Sequence, residues 1–341
     1  METGAMRILL LRTWTTNIGN GFIDYGARAM LERAFPDAEI VETGGYPNHA
    51  ADTAALWRGT RKFERMAGHG ADYESPTHQI RQNTVTISEL IDADLAVLPG
   101  CVLSRPTFRK YFDTLTRLRE RDIPIVIIGG GGEEYDEAER EDVAAVFDAL
   151  DIEVLLTRDR TAYEAYGDLV EYLYDGIDCS LFLGDAHQPP EANREFDVHT
   201  FDKGEEPDID GASSTIIRPD HAPFDEPYHF PVGERARELV GLETPLFEQE
   251  NVFVSDMVTD YLFLYANADV VRSDRIHACL PALTYGNRAQ FYFDTPRANL
   301  FDRVPIDGDV TNEPVRFDMD ALERETDAQV AALEEAIATV L

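Results

Sequence analysis

Residues 94–134 read DLAVLPGCVLSRPTFRKYFDTLTRLRERDIPIVIIGGGGEE. A short apolar run (94–98) is followed by a segment of helical period (106–120) and a second apolar, β-branched run, PIVIIG (124–129). A strand covered on both faces needs such a continuous apolar run, and parallel strands need a crossover between them, usually a helix. The stretch therefore predicts a βαβ unit. The same alternation continues on either side, with strands at 7–11, 39–43, 153–157 and 170–174 and helices at 21–35, 136–150 and 160–166. Residues 49–91 read as polar and helical, with loops around 68–76.

Over residues 185–212 the chain turns to prolines and acids with little apolar period, which reads as a linker or surface excursion. A second series follows: strands at 213–218, 269–272 and 289–293, with helices near 232–240, over 255–268 and from 273 onward. The expected class is α/β, with two Rossmann-like lobes at 6–184 and 213–317 and an interlobe cleft. The Ala/Glu/Leu-rich segment 318–341 is expected to be a helix packing across both lobes.

Composition narrows the partners. With 65 acidic against 30 basic residues the formal net charge is -35, and only Lys62, Lys110 and Lys203 are lysines. Such a surface repels nucleic-acid phosphates and anionic membranes. It resembles the surfaces of salt-loving (halophilic) proteins, where concentrated salt screens self-repulsion. Cys101, Cys179 and Cys279 lie far apart without CxxC spacing, so neither a disulfide framework nor a zinc site is expected, and a cytoplasmic location fits. No signal-like or membrane-spanning apolar run occurs.

In open parallel sheets ligands bind beyond the carboxyl ends of the strands. Glycines and asparagines recur there, which turn chemistry explains, but so do Arg158, Arg218, Arg275 and Arg297, which it does not. Arginine buried without a partner is costly, so four at strand ends predict an anion-binding cleft. In RSDRIHACLPALTYGN (272–287), Ser273 is placed to cap a helix whose first turn holds Arg275 and His277. Positive charge opposes the helix dipole there unless an anion compensates. Pro281 cannot donate to the His277 carbonyl and should bend the helix. His277, whose imidazole suits proton transfer near neutrality, is the first candidate for a general acid or for stabilising a departing anion, and Asp159 and Asp178 are candidate orienting groups or bases. The run GGGGEEYD (129–136) lacks the third glycine of a dinucleotide fingerprint, and Glu133 and Glu134 would repel a pyrophosphate. Gly130 and Gly131 instead let a backbone or a substrate approach closely. Asn17, Gly19 and Asn20, in NIGNG (17–21), form a turn into a helix, and Arg218 and His221 are candidates for acceptor binding.

These motifs, N-x-G-N after the first strand, LTRDRTAYEAYG, YDGIDCS and SDRIHACLPALTYGN ahead of FYFDTPRANLF, resemble the polysaccharide pyruvyl transferase family over roughly residues 6–304. The resemblance implies a glycosyltransferase-B-like architecture and transfer of pyruvate from phosphoenolpyruvate to sugar hydroxyls of a polysaccharide or glycan precursor, as in exopolysaccharide biosynthesis. It also implies that Arg158, Arg275 and His277 hold phosphoenolpyruvate, the donor substrate, with no separate cofactor. Three positions depart from the family pattern: Asn20 for Asp, Gly100-Cys101 for a GG pair, and Arg297 for Lys. No His and carboxylate cluster has metal-ligand spacing, which favours catalysis without a metal. The alternatives are a sugar-nucleotide-dependent glycosyltransferase on the same architecture and a non-catalytic glycan- or anion-binding relative. The acceptor sugar and a homo-oligomeric state stay open.

Overall fold

The computed structural model describes residues 5–13, 17–44, 85–201, 204–209, 215–221 and 250–341. Contacts divide the chain into two compact units, one of Met1–Thr13, Ala34–Asp175 and Ala332–Leu341 and one of Trp14–Arg33 and Gly176–Ala331. Each holds one parallel sheet, so both are α/β and Rossmann-like, as the apolar alternation requires.

From the N-terminus run β1 (Arg7–Arg12), α1 (Ile18–Ala34), β2 (Glu39–Gly44), β3 (Leu95–Pro99), α2 (Arg105–Arg119), β4 (Ile125–Gly130), α3 (Glu137–Leu150), β5 (Val154–Thr157), α4 (Arg160–Tyr166) and β6 (Tyr172–Tyr174). The first sheet has the order β2-β1-β3-β4-β5-β6, every pair parallel. Residues of β3, β4 and β5 are buried throughout, which is why those segments lack polar alternation. On one face Leu9, Leu98 and Ile127 join Tyr111 and Leu115 of α2 and Val143 and Phe147 of α3 in one core. Each such side chain contributes roughly 1.5–3 kcal/mol by leaving water.

The second unit continues with β7 (Asp197–Thr200), β8 (Ile216–Pro219), β9 (Val252–Phe253), α5 (Val258–Asn267), β10 (Val270–Ser273), α6 (Ile276–Thr284), β11 (Arg288–Phe291) and α7 (Met319–Val340). Its sheet order is β11-β10-β7-β8-β9, again wholly parallel. The order reverses between β7 and β10, so the carboxyl ends of these two strands form the topological switch point at which such sheets bind ligands.

One expectation is corrected. The segment 185–212 is not merely a linker or surface excursion, because its residues 197–200 are a fully buried strand at the centre of the second sheet. Period reading fails there because Asp197 and His199 stand where apolar residues are usual. Asp197 accepts from Arg272 of β10 at 2.8 Å, and His199 Nδ1 lies 2.6 Å from Glu206. Most of the 49–91 reading and all of the helix near 232–240 fall outside the described residues, while Ile87–Glu89 form a single 3-10 turn. The C-terminal helix is present as α7, its residues up to Ala331 grouping with the second unit and the rest with the first.

Candidate functional site

The switch point of the second unit gathers several of the expected residues. Ser273 ends β10, opposite Thr200 of β7, and its hydroxyl donates to the Thr200 carbonyl (2.8 Å) and accepts the Arg275 N–H (2.8 Å). The α6 N-cap is Arg275 rather than Ser273, which acts one step earlier by fixing the Arg275 backbone. His277 has non-helical angles (φ -77°, ψ 17°), and the helix kinks there. The bend falls four residues before Pro281, whose ring cannot donate to the His277 carbonyl.

That kink turns the His277 ring toward Asp178. Nε2 of His277 lies 3.3 Å from Oδ2 of Asp178, while Oδ1 of Asp178 accepts the Ser180 N–H at 2.9 Å. Asp178 is buried and His277 keeps about a fifth of its side chain exposed. An ionised carboxylate only accepts, so Nε2 carries the hydrogen and Nδ1 is the nitrogen left to exchange protons.

α1 begins against the same residues. Asn17 Oδ1 accepts the Gly19 N–H (2.9 Å), and the Ile18 N–H donates to the His221 carbonyl (2.8 Å). Gly19 is required here, because a Cβ at this position would lie 2.9 Å from His277 Cβ. Asn20, half-buried in the first turn, gives its backbone N–H to the Asn17 carbonyl (3.1 Å). His221 is fully buried, bonded through Nε2 to the Tyr265 hydroxyl and ringed by Phe22, Tyr261 and Tyr265. Burial, reinforced by the charges of Arg275 and His277, holds its pKa well below the usual histidine value, so it is neutral. Asn17, Gly19, Asp178, His221, Ser273, Arg275 and His277 thus belong to one unit, around one strand-end cluster.

Other expected residues have different surroundings. Arg218 gives two bonds to the Glu206 carboxylate (2.7 and 2.9 Å) and one to the Glu250 carbonyl (3.1 Å). Burial raises the Glu206 pKa, but hydrogen bonds from His199 and Arg218 outweigh it and bring the group down to about 2. Arg297 lies in the first turn of the 3-10 helix Pro296–Phe301, its N–H 3.4 Å from Thr295 Oγ1.

Arg158, Asp159, Gly130 and Gly131 lie in the first unit. Arg158 is 1% exposed, and its guanidinium donates to Asp159 Oδ2 (3.2 Å), the Gly132 carbonyl (3.0 Å) and the Tyr135 phenol oxygen (3.2 Å). Asp159 also caps α4 by accepting the Ala162 N–H at 2.8 Å. A Cβ on Gly131 would fall 2.0 Å from Arg158 Nε, one on Gly130 would fall 2.7 Å from Leu155 Cδ1, and one on Gly132 would fall 2.2 Å from Glu139 Oε1. The close approach expected of these glycines is therefore filled by the chain's own side chains.

Sequence reading missed Glu139. Its buried carboxylate accepts the N–H groups of Glu133 (3.0 Å), Glu134 (3.2 Å) and Tyr135 (3.0 Å) and the Tyr166 hydroxyl (2.5 Å). The glycine-rich loop is an anion nest occupied from within. Asp136, which accepts the Glu139 N–H at 2.8 Å, and Glu139 three residues later form a capping-box pattern that could have pointed to it. Glu206, Asp197 and Tyr265 were missed because only long-range pairing gives them a role.

Among the described residues no group of three His, Cys, Asp or Glu side chains could hold a metal ion, and no helix is long and apolar enough to cross a membrane. No family model matches the chain, and no curated protein matches it. Solved structures do resemble it. A UDP-N-acetylglucosamine 2-epimerase aligns at 10% identity over 98% of this chain and 91% of its own, with a TM-score of 0.49. The UDP-GlcNAc 2-epimerase of Methanocaldococcus jannaschii aligns at 12% identity over 96% and 92%, with a TM-score of 0.47. An E. coli heptosyltransferase, solved with ADP-2-deoxy-2-fluoro heptose, aligns at 13% identity over 84% and 88%, with a TM-score of 0.37. None of these three carries the name of a pyruvyl transferase.

Proposed function

We propose that this chain is a pyruvyl transferase that moves pyruvate from phosphoenolpyruvate onto sugar hydroxyls, with its proton-handling group in the second unit. The observation that carries this reading is the pairing of His277 with Asp178 at the strand-end switch point, two residues from Arg275. The likeness of SDRIHACLPALTYGN to the pyruvyl transferase motif is what supports phosphoenolpyruvate as the donor.

Phosphoenolpyruvate presents a phosphate and a carboxylate, and a guanidinium binds such oxygens through charge-assisted bonds of roughly 1.5–3 kcal/mol each. Ketal formation adds a proton to the methylene carbon, and one sugar hydroxyl then attacks the neighbouring carbon and releases its proton. A second hydroxyl closes the ring as the carbon–oxygen bond to phosphate breaks, and its proton leaves with hydrogen phosphate. His277 gives or takes protons through Nδ1, and Asp178 holds the ring through Nε2 and stabilises the imidazolium. Arg275 neutralises the leaving phosphate. Neutral His221 adds polarity beside them without a further positive charge.

The second reading is a sugar-nucleotide-dependent enzyme, the class nearer to the names of the resembling structures. One experiment separates the two. Purified protein in molar potassium chloride is given phosphoenolpyruvate or UDP-N-acetylglucosamine with a panel of sugar acceptors, and released phosphate and UDP are measured. The pyruvyl reading expects phosphate from phosphoenolpyruvate only when an acceptor is present, and loss of that release in Arg275→Ala and His277→Ala. Release of UDP alone supports the second reading. Binding without release of either product supports a non-catalytic relative.

A further inference from the structure

We propose that Gln329 of α7 is a positioning residue that sets where Asp178 meets His277. The inference rests on the proposed function in taking His277 as the proton-handling group, and every residue in it belongs to the second unit.

Gln329 is fully buried, on a helix whose other buried positions include Leu322, Val330 and Leu333. An amide among them is costly unless both of its ends are paired, and an apolar side chain would fill the same space, so packing alone does not account for it. Oε1 of Gln329 accepts the Ile177 N–H (2.6 Å) and Nε2 donates to the Ile177 carbonyl (3.0 Å), with the sulfur of Met30 of α1 3.6 Å from Nε2. A backbone N–H only donates and a carbonyl only accepts, so the amide fits this residue in one orientation. Two bonds to one residue fix both the place and the tilt of the chain there. The next residue is Asp178, whose Oδ1 takes the Ser180 N–H and whose Oδ2 lies 3.3 Å from His277 Nε2. That distance is already long for a hydrogen bond, and a further displacement of about 0.3 Å ends it. The Ser180 bond turns the carboxylate relative to its own backbone, whereas Gln329 holds that backbone against α7.

The test uses the full-length chain. Gln329→Met keeps the length and bulk of the side chain and removes both bonds to Ile177. With phosphoenolpyruvate and an acceptor, kcat is expected to fall about 10–100-fold, the upper figure being the cost of a misplacement of about 1 Å, while donor affinity by calorimetry changes less than about 2-fold. In an Asp178→Asn background the same change is expected to lower kcat no further, because the contact it positions is already lost. A merely structural role lowers kcat equally in both backgrounds. Nitrogen NMR of the His277 ring, identified by its absence from His277→Ala, reads the contact without turnover: wild type carries the hydrogen on Nε2, and Gln329→Met shows a mixture of the two tautomers. Gln329→Asn, whose amide stops one methylene short of Ile177, shifts both readouts in the same direction and supplies them if Gln329→Met fails to fold. An unchanged tautomer overturns the inference, as does an equal fall in kcat with and without Asp178. If His277→Ala and Asp178→Asn leave turnover intact, the proposed function fails and the tautomer still decides the inference. If they abolish it while Gln329→Met leaves kcat and tautomer unchanged, only the inference fails.

Discussion

The His277 imidazole and the Asp178 carboxylate, 99 positions apart in sequence, stand 3.3 Å from each other, and the second oxygen of Asp178 is fixed by the Ser180 N–H. This relationship gives His277 a defined tautomer. Asp178→Asn preserves an acceptor for Ser180 but removes the charge that orients and stabilises the imidazolium. Under the proposed function, turnover of phosphoenolpyruvate is expected to fall about 10²-fold or more, the low end of general acid–base contributions. Donor binding should change far less, and thermal unfolding with steady-state kinetics separates the two effects.

Gly26 of α1 faces the backbone of Cys179 so closely that a Cβ would lie 1.8 Å from its carbonyl oxygen. Backbone on both sides leaves nothing to rotate away. Gly26→Ala is expected to cost at least about 3 kcal/mol in urea unfolding, the upper range of overpacking effects. Gly44→Ala, which meets nothing within 4 Å, should stay within about 0.5 kcal/mol of wild type.

The Glu139 carboxylate satisfies three backbone N–H groups and a tyrosine hydroxyl in a buried site. Glu139→Ala strands all four donors, each worth about 1–3 kcal/mol if left unpaired, so a loss of about 4 kcal/mol or more is expected. Glu139→Gln keeps one acceptor oxygen and should lose roughly half as much. Chemical denaturation of both variants checks the order.

Glu206 carries a pH signature. Its pKa in the folded chain is brought down to about 2 from the ordinary value of 4.5, chiefly through bonds from His199 and Arg218 against the opposing effect of burial. A depressed folded pKa means that the unfolded chain binds the proton first. The stabilisation is therefore fully present above about pH 4.5 and is lost as pH falls toward 2. Glu206→Gln should flatten that part of the stability profile, measured by denaturation between these limits. An equally steep fall in the variant would remove Glu206 from the account.

Much of the fold could be read directly. Apolar runs of strand length separated by helical periods recovered β1, β3, β4 and β5 because strands buried on both faces tolerate few polar residues. Pro281 placed the kink at His277 because a missing N–H acts four residues back, whatever surrounds it. The same rule misread β7, whose buried Asp197 and His199 are tolerated only because Arg272 and Glu206 lie beside them. Arg158 and Arg218 were grouped with Arg275 as anion-binding groups on position alone, yet each is engaged by a carboxylate of its own unit.

What the sequence determined by itself was local or periodic: parallel α/β units, the strand ends where polar residues collect, and the helix with Arg275, His277 and Pro281. Tertiary structure alone decided which charges compensate one another, since pairing depends on distances across strands and loops that no spacing along the chain records. Asp178 meets His277, Glu206 meets Arg218, and Glu139 fills the glycine-rich loop because burying a charge is tolerable only beside an opposite charge or a converging set of donors.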